Sequence, residues 1–450
     1  MAAETGEQPD CPRGRAVSRS TAAQTGTNPI GSRGRLVVVG QGYVGLPLAV
    51  RAAEVGWQVL GFDTDPARVK RLAAGESFVE DVPSASLAAV IRAGRYEASG
   101  EDGALAGFDV AVVTVPTPLA EGVPDLSAID EAARTLAPHL RPGCCVVLES
   151  TTYPGTTEER FGPLLEEGSG FGAGEDFHLG YSPERIDPGN RTWGLANTPK
   201  VVSGVDAASL AAVESFYASI VERTVAVSGT REAELTKLLE NTFRHVNVAL
   251  VNELAMFAHD LGIDLWEAID AASTKPFGYL RFTPGPGVGG HCLPVDPSYL
   301  SWRVARRLGQ RFRFVELAND VNDHMPDYVV RRLVAALNER GQPLKGARVL
   351  LLGLAYKANT ADARESPALA VAELLLGAGA ALAAVDPYVE DDRVPAGVRR
   401  ATLSAEELAA ADAVVVLTDH DAFDYELVTM HAPYVLDTRH RCSGARVEHL

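Results

Sequence analysis

The chain has 450 residues, of which 46% are hydrophobic and 22% charged, a globular composition long enough for two or three domains. Lys and Arg total 41 against 59 Asp and Glu, a formal charge of −18. That surplus of acid repels phosphate backbones and argues against nucleic acid as a partner, although a local basic pocket can still hold an anionic small ligand. No apolar run approaches the ~20 residues that cross a bilayer, so no membrane partner is expected.

The five cysteines are Cys11, Cys144, Cys145, Cys292 and Cys442. None forms a CxxC pair, which argues against a zinc ribbon or a redox dithiol, and no metal site is expected. A sparse, odd set of thiols fits a reducing cytoplasm. Residues 1–33 are rich in Ser, Thr, Gly and Arg and lack the apolar core of a signal peptide, so they read as a disordered tail. The expected localisation is cytoplasmic.

From Arg35 onward, β-branched apolar runs alternate with Ala/Leu-rich amphipathic stretches. "RLVVVG" (35–40), "WQVLGFD" (57–63), "DVAVVTVP" (109–116) and "CVVLES" (145–150) read as strands buried on both faces, and 45–55 and 127–140 as helices. This is the pattern of a doubly wound parallel sheet. "HLGYSPE" (178–184), "KVVSG" (200–204) and "RTVAV" (223–227) are candidates to extend it. A first domain is expected over 34–228.

Residues 230–261 contain no Gly or Pro and carry apolar residues at helical spacing through Leu235, Leu238, Leu239, Val246, Leu250 and Leu254, with Gly262 placed to end the helix. A second helix is expected near 264–273. Then comes "PGPGVGGHCLPVDPS" (284–298), after which Asp296-Pro297 reads as an N-cap and first-turn proline for a helix to Leu308, followed by Gly309. A helical connector is thus expected over 229–335. Gly341, Pro343 and Gly346 lead into renewed alternation at "ARVLLLGLAYK" (347–357), "ALAAVDP" (381–387), "AVVVLTDH" (413–420) and "YVLDTR" (434–439), a second α/β domain over 336–450.

"VVVGQGYVGLPLA" places Gly40, Gly42 and Gly45 in G-x-G-x-x-G spacing between a strand and a helix. Gly40 permits the tight turn, Gly42 lets the backbone approach a pyrophosphate, and Gly45 lets the helix pack on the strand. Asp63 ends the next strand, where a carboxylate accepts the ribose hydroxyls and repels a 2′-phosphate. The expected cofactor is NAD. "TVPTP" (114–118) and "ESTTYPGTT" (149–157) suit the rim of a cofactor cleft, but turn chemistry alone would also account for them.

Lys237 and Asn241 stand four apart on one face of the long helix. Taken alone they could be solvated. Cys292 changes the weighing, because an NAD site beside a cysteine in a glycine-rich loop points to covalent oxidation of an aldehyde: a thiolate makes the carbon tetrahedral so that hydride can leave. The loop glycines are expected to permit close approach to a ligand, and the helix starting near Asp296 to lower the thiol pKa. Cys144, Cys145 and Cys442 read as structural, and His291 as a loop residue rather than a ligand.

Together these stretches resemble the UDP-glucose/GDP-mannose dehydrogenase family of four-electron, NAD-dependent nucleotide-sugar dehydrogenases. The resemblance runs from Arg35 to Arg439 through "GQGYVGLPLA", "VPTP", "ESTTYPGTT", "YSPERIDPGN", "ELTKLLENTFR", "PGPGVGGHCLPVDP", "GLAYKANTADARESP" and "DTR". It implies two Rossmann-like domains joined by a central helical connector, with Cys292 as the nucleophile that carries a thiohemiacetal and then a thioester. By the same resemblance Lys237 and Asp296 act on the substrate oxygen and an ordered water, Asn241 hydrogen-bonds near that oxygen, Thr151 orders water, and Glu184 serves thioester hydrolysis.

Lys357 and Arg439 match groups that hold the nucleotide diphosphate or uridine, which suits cationic side chains inside an acidic protein. Arg364 matches a residue reaching toward NAD from the second lobe. Tyr43, Val44, Arg68, Pro116 and Thr117 fall with the cofactor, and Arg185, Phe282 and Gly289 with the substrate. Pro188 and Val295 stand where the UDP-glucose branch carries a glutamate and a lysine, so the resemblance favours the branch acting on UDP-N-acetylhexosamines, UDP-N-acetylglucosamine above all. Ser298 and His440 depart from that branch too. The family forms dimers or larger homo-oligomers through the central helix. Rival readings are UDP-glucose or UDP-N-acetylmannosamine as substrate, a single-step alcohol dehydrogenase that does not need Cys292, and an NAD-sensing binding protein.

Overall fold

The computed structural model describes residues 33–450 apart from 121, 188, 189, 191 and 291, and the side chains of Cys292 and Pro294 also lie outside the described set. The sequence readings that rest on the N-terminal tail, Cys11, Pro188, His291 and the Cys292 thiol therefore fall outside the described residues.

The first lobe is built on β1 (Arg35–Val39), β2 (Gln58–Phe62), β3 (Tyr96–Ser99), β4 (Val110–Val113), β7 (Cys145–Leu148), β8 (His178–Tyr181), β9 (Lys200–Gly204) and β10 (Thr224–Ala226), with a small hairpin of β5 (Leu119–Ala120) and β6 (Val123–Pro124) above it. Its helices are α1 (Gly45–Glu54), α2 (Pro66–Ala73), α3 (Ser84–Arg92), α4 (Ser127–Leu136), α5 (Gly162–Ser169) and α6 (Ala207–Ala218). The connector holds α7 (Thr230–Leu261), α8 (Leu265–Ser273), α9 (Cys292–Leu308), α10 (Arg313–Asp323) and α11 (Met325–Glu339). The second lobe has β11 (Arg348–Leu352), α12 (Pro367–Gly377), β12 (Ala381–Val385), β13 (Arg399–Arg400), α13 (Ala405–Ala410), β14 (Ala413–Val416), α14 (Tyr425–His431), β15 (Val435–Asp437) and β16 (Val447–His449).

Both lobes repeat one strand order. The first sheet runs β10-β9-β8-β7-β4-β1-β2-β3 and the second β13-β12-β11-β14-β15-β16, so each contains the three-two-one-four-five-six order of a dinucleotide fold. After a leading Arg35 in β1 and Arg348 in β11, the central strands are apolar throughout because helices cover both faces. In β1, Val37 and Val39 join one core cluster while Leu36 and Val38 join the other; β11 divides Val349 and Leu351 from Leu350 and Leu352 in the same way.

The structure corrects the sequence reading at four points. The first sheet is not wholly parallel, because β9 runs antiparallel to β8, with Gly180 opposite Gly204 and Tyr181 opposite Ser203. A strand not foreseen, β3, closes the other edge against β2; "YEAS" is too short and too polar to stand out. Helix α9 begins at Cys292, four residues before the expected cap, so Asp296 lies inside it and Pro297 interrupts its ladder only in the early turns. Of the apolar positions read along α7, Leu238 is buried, but Leu235, Leu239, Leu250 and Leu254 are exposed. With Phe243 and Phe257 they form a second apolar face, which among the described residues stays exposed, with the Phe282 ring set edge-on against Phe243.

Gly262 closes α7 in the left-handed conformation (φ 68°), as expected of a helix-ending glycine. At 32 residues, α7 spans about 48 Å, enough to carry side chains from one lobe to the other. Among the described residues, no helix is long and apolar enough to cross a membrane.

Candidate active site

A cleft of about 1040 Å³ opens where the two sheets and the connector meet. Its first wall is the turn after β1. Gly40 holds φ 89°, which lets the chain turn sharply, and Thr114 packs so tightly behind it that a Cβ would lie 2.8 Å from the Thr114 carbonyl oxygen. A Cβ on Gly45 would lie 1.9 Å from the Gly40 oxygen, so Gly45 serves helix-to-strand packing and stands behind the cleft. Gly42 is different: a Cβ there would meet nothing within 4 Å, which leaves the backbone open to the cleft.

Asp63 ends β2 beside this turn. Its carboxylate accepts the Gln41 N–H (2.8 Å) and the Asp65 N–H (3.0 Å), and it holds the Arg68 guanidinium at 2.9 Å. Tyr43, Val44, Pro116, Thr117 and Thr151 complete this wall. The open Gly42 backbone at a helix start, with a carboxylate at the end of the neighbouring strand, fits the pyrophosphate and ribose of NAD.

The deeper wall comes from α7 and α9. Lys237 and Asn241 line the cleft, and Asn241 Nδ2 donates to Asp296 Oδ2 at 2.5 Å. Asp296 is buried behind this pair. Burial pushes its carboxyl up to about 6, against the opposing pull of the Lys237 ammonium and the Asn241 hydrogen bond. One turn before Lys237, the buried Glu234 carboxylate accepts the N–H groups of Gly155 (2.5 Å) and Thr157 (2.9 Å) and the Thr157 hydroxyl (2.7 Å). That fixes the loop following Thr151 to α7. Burial raises Glu234 to about 7 in spite of these three donors.

The third wall follows β8. Glu184 and Arg185 line the cleft. Arg185 is clamped by Glu240 of α7 (2.6 Å) and by the Pro199 carbonyl (2.7 Å). The second lobe contributes Lys357, whose ammonium pairs with Asp187 at 2.7 Å, and Arg364, which lies over the Tyr43 ring at 5.6 Å and pairs with Asp362. Lys357 and Arg364 thus bridge the lobes across the mouth of the cleft.

The loop before α9 shows what its glycines are for. A Cβ on Gly289 would lie 2.6 Å from the Glu365 oxygen and 2.8 Å from Tyr356 Cβ; one on Gly290 would meet the Tyr356 ring at 2.8 Å, and one on Gly285 the Arg439 guanidinium at 2.8 Å. The Gly285 N–H donates to Asn252 Oδ1 (2.9 Å) and that of Gly290 to the Arg364 carbonyl (3.2 Å). These glycines were expected to admit a ligand. Their close contacts are instead with the second lobe, although Gly289 and Gly290 also edge the cleft.

The structure brings together Gly40, Gly42, Tyr43, Val44, Asp63, Arg68, Pro116, Thr117, Thr151, Glu184, Arg185, Lys237, Asn241, Gly289, Lys357 and Arg364 around one cleft. Phe282 and Arg439 are not among its lining residues. Phe282 stacks edge-on against Phe243 at 5.8 Å, and the half-buried Arg439 donates its Nε to the Leu417 carbonyl at 2.8 Å. Sequence reasoning passed over Glu149, Lys200, Tyr217 and Glu234. Their shared signal was a polar or ionisable residue at the end of a strand or on the apolar side of a helix.

An NAD-type turn facing a second nucleotide-fold lobe defines a two-lobed NAD-dependent dehydrogenase, and comparison with known proteins gives the family. Residues 34–221 match the UDP-glucose/GDP-mannose dehydrogenase family NAD binding domain, 231–324 its central domain and 350–443 its UDP binding domain. The chain belongs to the UDP-glucose/GDP-mannose dehydrogenase family, and it is an NAD-dependent nucleotide-sugar 6-dehydrogenase. It is 36% identical over 392 residues to the UDP-N-acetyl-D-mannosamine dehydrogenase of Pyrococcus horikoshii, covering 86% of this chain and 90% of that one. It is 36% identical over 391 residues to the UDP-N-acetyl-D-glucosamine 6-dehydrogenase of Pseudomonas aeruginosa, covering 86% and 91%. A solved structure of the Pyrococcus horikoshii enzyme superposes with a TM-score of 0.84 at 33% identity, covering 92% of this chain and 98% of the other.

Proposed function

We propose that this enzyme oxidises the C6 hydroxyl of a UDP-N-acetylhexosamine to the carboxylate in two steps. UDP-N-acetylglucosamine is favoured by Pro188 and Val295 in the sequence. UDP-N-acetylmannosamine is the second reading, favoured by the printed name of the Pyrococcus horikoshii relative. The observation that carries the proposal is the meeting of Lys237, Asn241 and Glu184 with the Gly42 turn and Lys357 in one cleft.

Bound NAD⁺ supplies the hydride acceptor at both oxidations. Lys237 and Asn241 face the C6 oxygen, with Asp296 behind them to take up or return its proton. Between the oxidations the Cys292 thiolate adds to the aldehyde carbon, making a C–S bond while the carbonyl electron pair moves onto oxygen, where Lys237 and Asn241 hold it. After the second oxidation, water adds to the thioester carbon, the C–S bond breaks, the thiolate is restored and Glu184 accepts the proton from water, with Thr151 orienting that water. Lys357 neutralises the diphosphate, Arg185 supports the sugar end and Arg364 closes over the cofactor; for Arg439 and Phe282, which do not line the cleft, only the family resemblance supports a place near the uridine and the sugar.

The domain divisions we assign are 34–228, 229–335 and 336–450. The exposed apolar face of α7 is assigned to a second copy of the chain, following the habit of the family. Polysaccharide precursor synthesis in the cytoplasm, with no nucleic-acid partner, completes the reading.

Counting NADH formed per nucleotide sugar consumed tests it, with UDP-N-acetylglucosamine, UDP-N-acetylmannosamine and UDP-glucose run in parallel. Two NADH per sugar, with an N-acetylated substrate preferred, is expected. A ratio near one removes the thioester route, and activity on UDP-glucose alone removes the N-acetyl assignment.

A further inference from the structure

Lys200 is 3% exposed, yet it carries an ammonium. That ammonium donates to two carboxylates, Glu149 Oε1 and Glu184 Oε2 (3.0 Å), and lies over the Tyr217 ring at 5.3 Å. Glu149 in turn accepts the Tyr217 hydroxyl at 2.5 Å. Glu184 is pinned at its other oxygen by the N–H groups of Arg185 (2.8 Å) and Ile186 (2.6 Å). A carboxylate offers about four acceptor positions, and these contacts fill three of them. Glu149 and Glu184 both line the cleft.

The strand reversal puts the lysine there. Continuing the antiparallel register of Gly180 with Gly204 and Tyr181 with Ser203 sets Glu184 opposite Lys200, and the Ser182 hydroxyl bonded to the Val201 carbonyl (2.7 Å) carries the pairing past the end of β8. A buried ion cluster contributes little to stability compared with apolar residues of the same volume. Two acids around one base, with one of them fixed by three donors at the cleft, is costly to build for stability alone.

We propose that Lys200 is a positioning residue for the hydrolytic half of the reaction: it holds the Glu184 carboxylate charged and aimed into the cleft, and Glu149 with Tyr217 holds Lys200. The inference rests on the proposed thioester route. Burial works to raise both acids, but at Glu184 the Lys200 ammonium and the hydrogen bonds outweigh it and keep that carboxyl ionised, whereas at Glu149 burial prevails and raises it. The cluster therefore favours negative charge on Glu184, the carboxylate that receives the proton of the attacking water, more than on Glu149.

The test uses the full-length enzyme with Lys200→Met, Lys200→Arg and the paired Glu149→Gln/Lys200→Met, in which one acid and one base are removed together should the single variant fail to fold. Turnover of the Met variants is expected to fall roughly 100-fold, with KM for the sugar nucleotide changed by no more than about threefold. Acid-quenched samples should carry a covalent sugar adduct on Cys292 by mass spectrometry, and Lys200→Arg should restore turnover at least in part. Turnover of a Met variant within about threefold of the parent, or lost turnover with no adduct on Cys292, overturns the role of Lys200. The parent enzyme run alongside distinguishes the two levels: one NADH per sugar from the parent overturns the thioester route together with this inference, whereas two NADH from the parent and no adduct in the variants removes Lys200 alone.

Discussion

The Asn241 amide donates to the Asp296 carboxylate across 2.5 Å, tying α7 to α9 directly behind Lys237. Asn241 is thereby oriented by a group that is itself buried and titratable. One N–H of the amide goes to Asp296, which leaves its second N–H and its oxygen for other partners.

Because burial raises Asp296 to about 6, it loses its proton as pH rises through that value. Turnover should climb on the acid side up to about pH 6, and Asp296→Asn should remove that limb and lower kcat by roughly 10²–10⁴-fold. The folded state binds this proton more tightly than the unfolded chain, whose carboxyl sits near 3.8. The contribution of Asp296 to stability therefore falls as pH rises from 3.8 toward 6, and urea midpoints across that window should lose this slope in Asp296→Asn.

Glu234→Gln keeps the shape of the side chain but turns one acceptor into a donor facing backbone N–H groups. The loop of Gly155 and Thr157 should lose its anchor at a cost of about 2–4 kcal/mol, read from the urea unfolding midpoint. Full stability in this variant would mean that the loop is held elsewhere.

Gly42 and Gly289 make a matched pair. Gly42→Ala adds a methyl into open space, so stability should stay within about 0.5 kcal/mol while KM for NAD⁺ rises about tenfold. Gly289→Ala drives a methyl into Glu365, Pro367 and Tyr356 and should cost about 1–3 kcal/mol. Thermal unfolding and NAD⁺ titration of the two variants side by side check both.

Leu239 is 63% exposed and Phe257 55% exposed on one face of α7. Leu239→Glu and Phe257→Glu should each reduce the mass seen by light scattering to that of a single chain. Unchanged mass in both would move the oligomer contact off α7.

The sheet strands, the long helix and the Gly40–Asp63 turn were legible because each depends on residues close in sequence: β-branched runs, helical spacing, glycines in a fixed pattern. Lys237 and Asn241 could be paired for the same reason, standing one turn apart. Lys200 could not. As the first residue of "KVVSG" it reads as the solvated start of a strand, and nothing within those five residues says which way the strand will run. Asp296 was seen but misplaced as a cap, since a Pro after an Asp imitates a helix start even when the helix has already begun at Cys292. The glycines of 284–290 were read as room for a ligand because their true neighbours, Tyr356, Glu365 and Arg439, lie at least 65 positions further along the chain.

The reversal of β9 also determines which sequence changes this corner of the fold can absorb. The connection from Ile186 to Pro199 can lengthen without disturbing the pairing on either side of it, and loop closure alone costs only about 0.6 kcal/mol for each doubling of its length. A single deletion between Lys200 and Ser203 is another matter, because alternate residues of a strand point to opposite faces. It would leave Glu149 and Glu184 facing each other with an apolar side chain between them, while the rest of the lobe kept its shape. Related chains in this family can therefore be expected to vary in the span before β9 and to hold constant the residue count between that lysine and the pairing at Gly204.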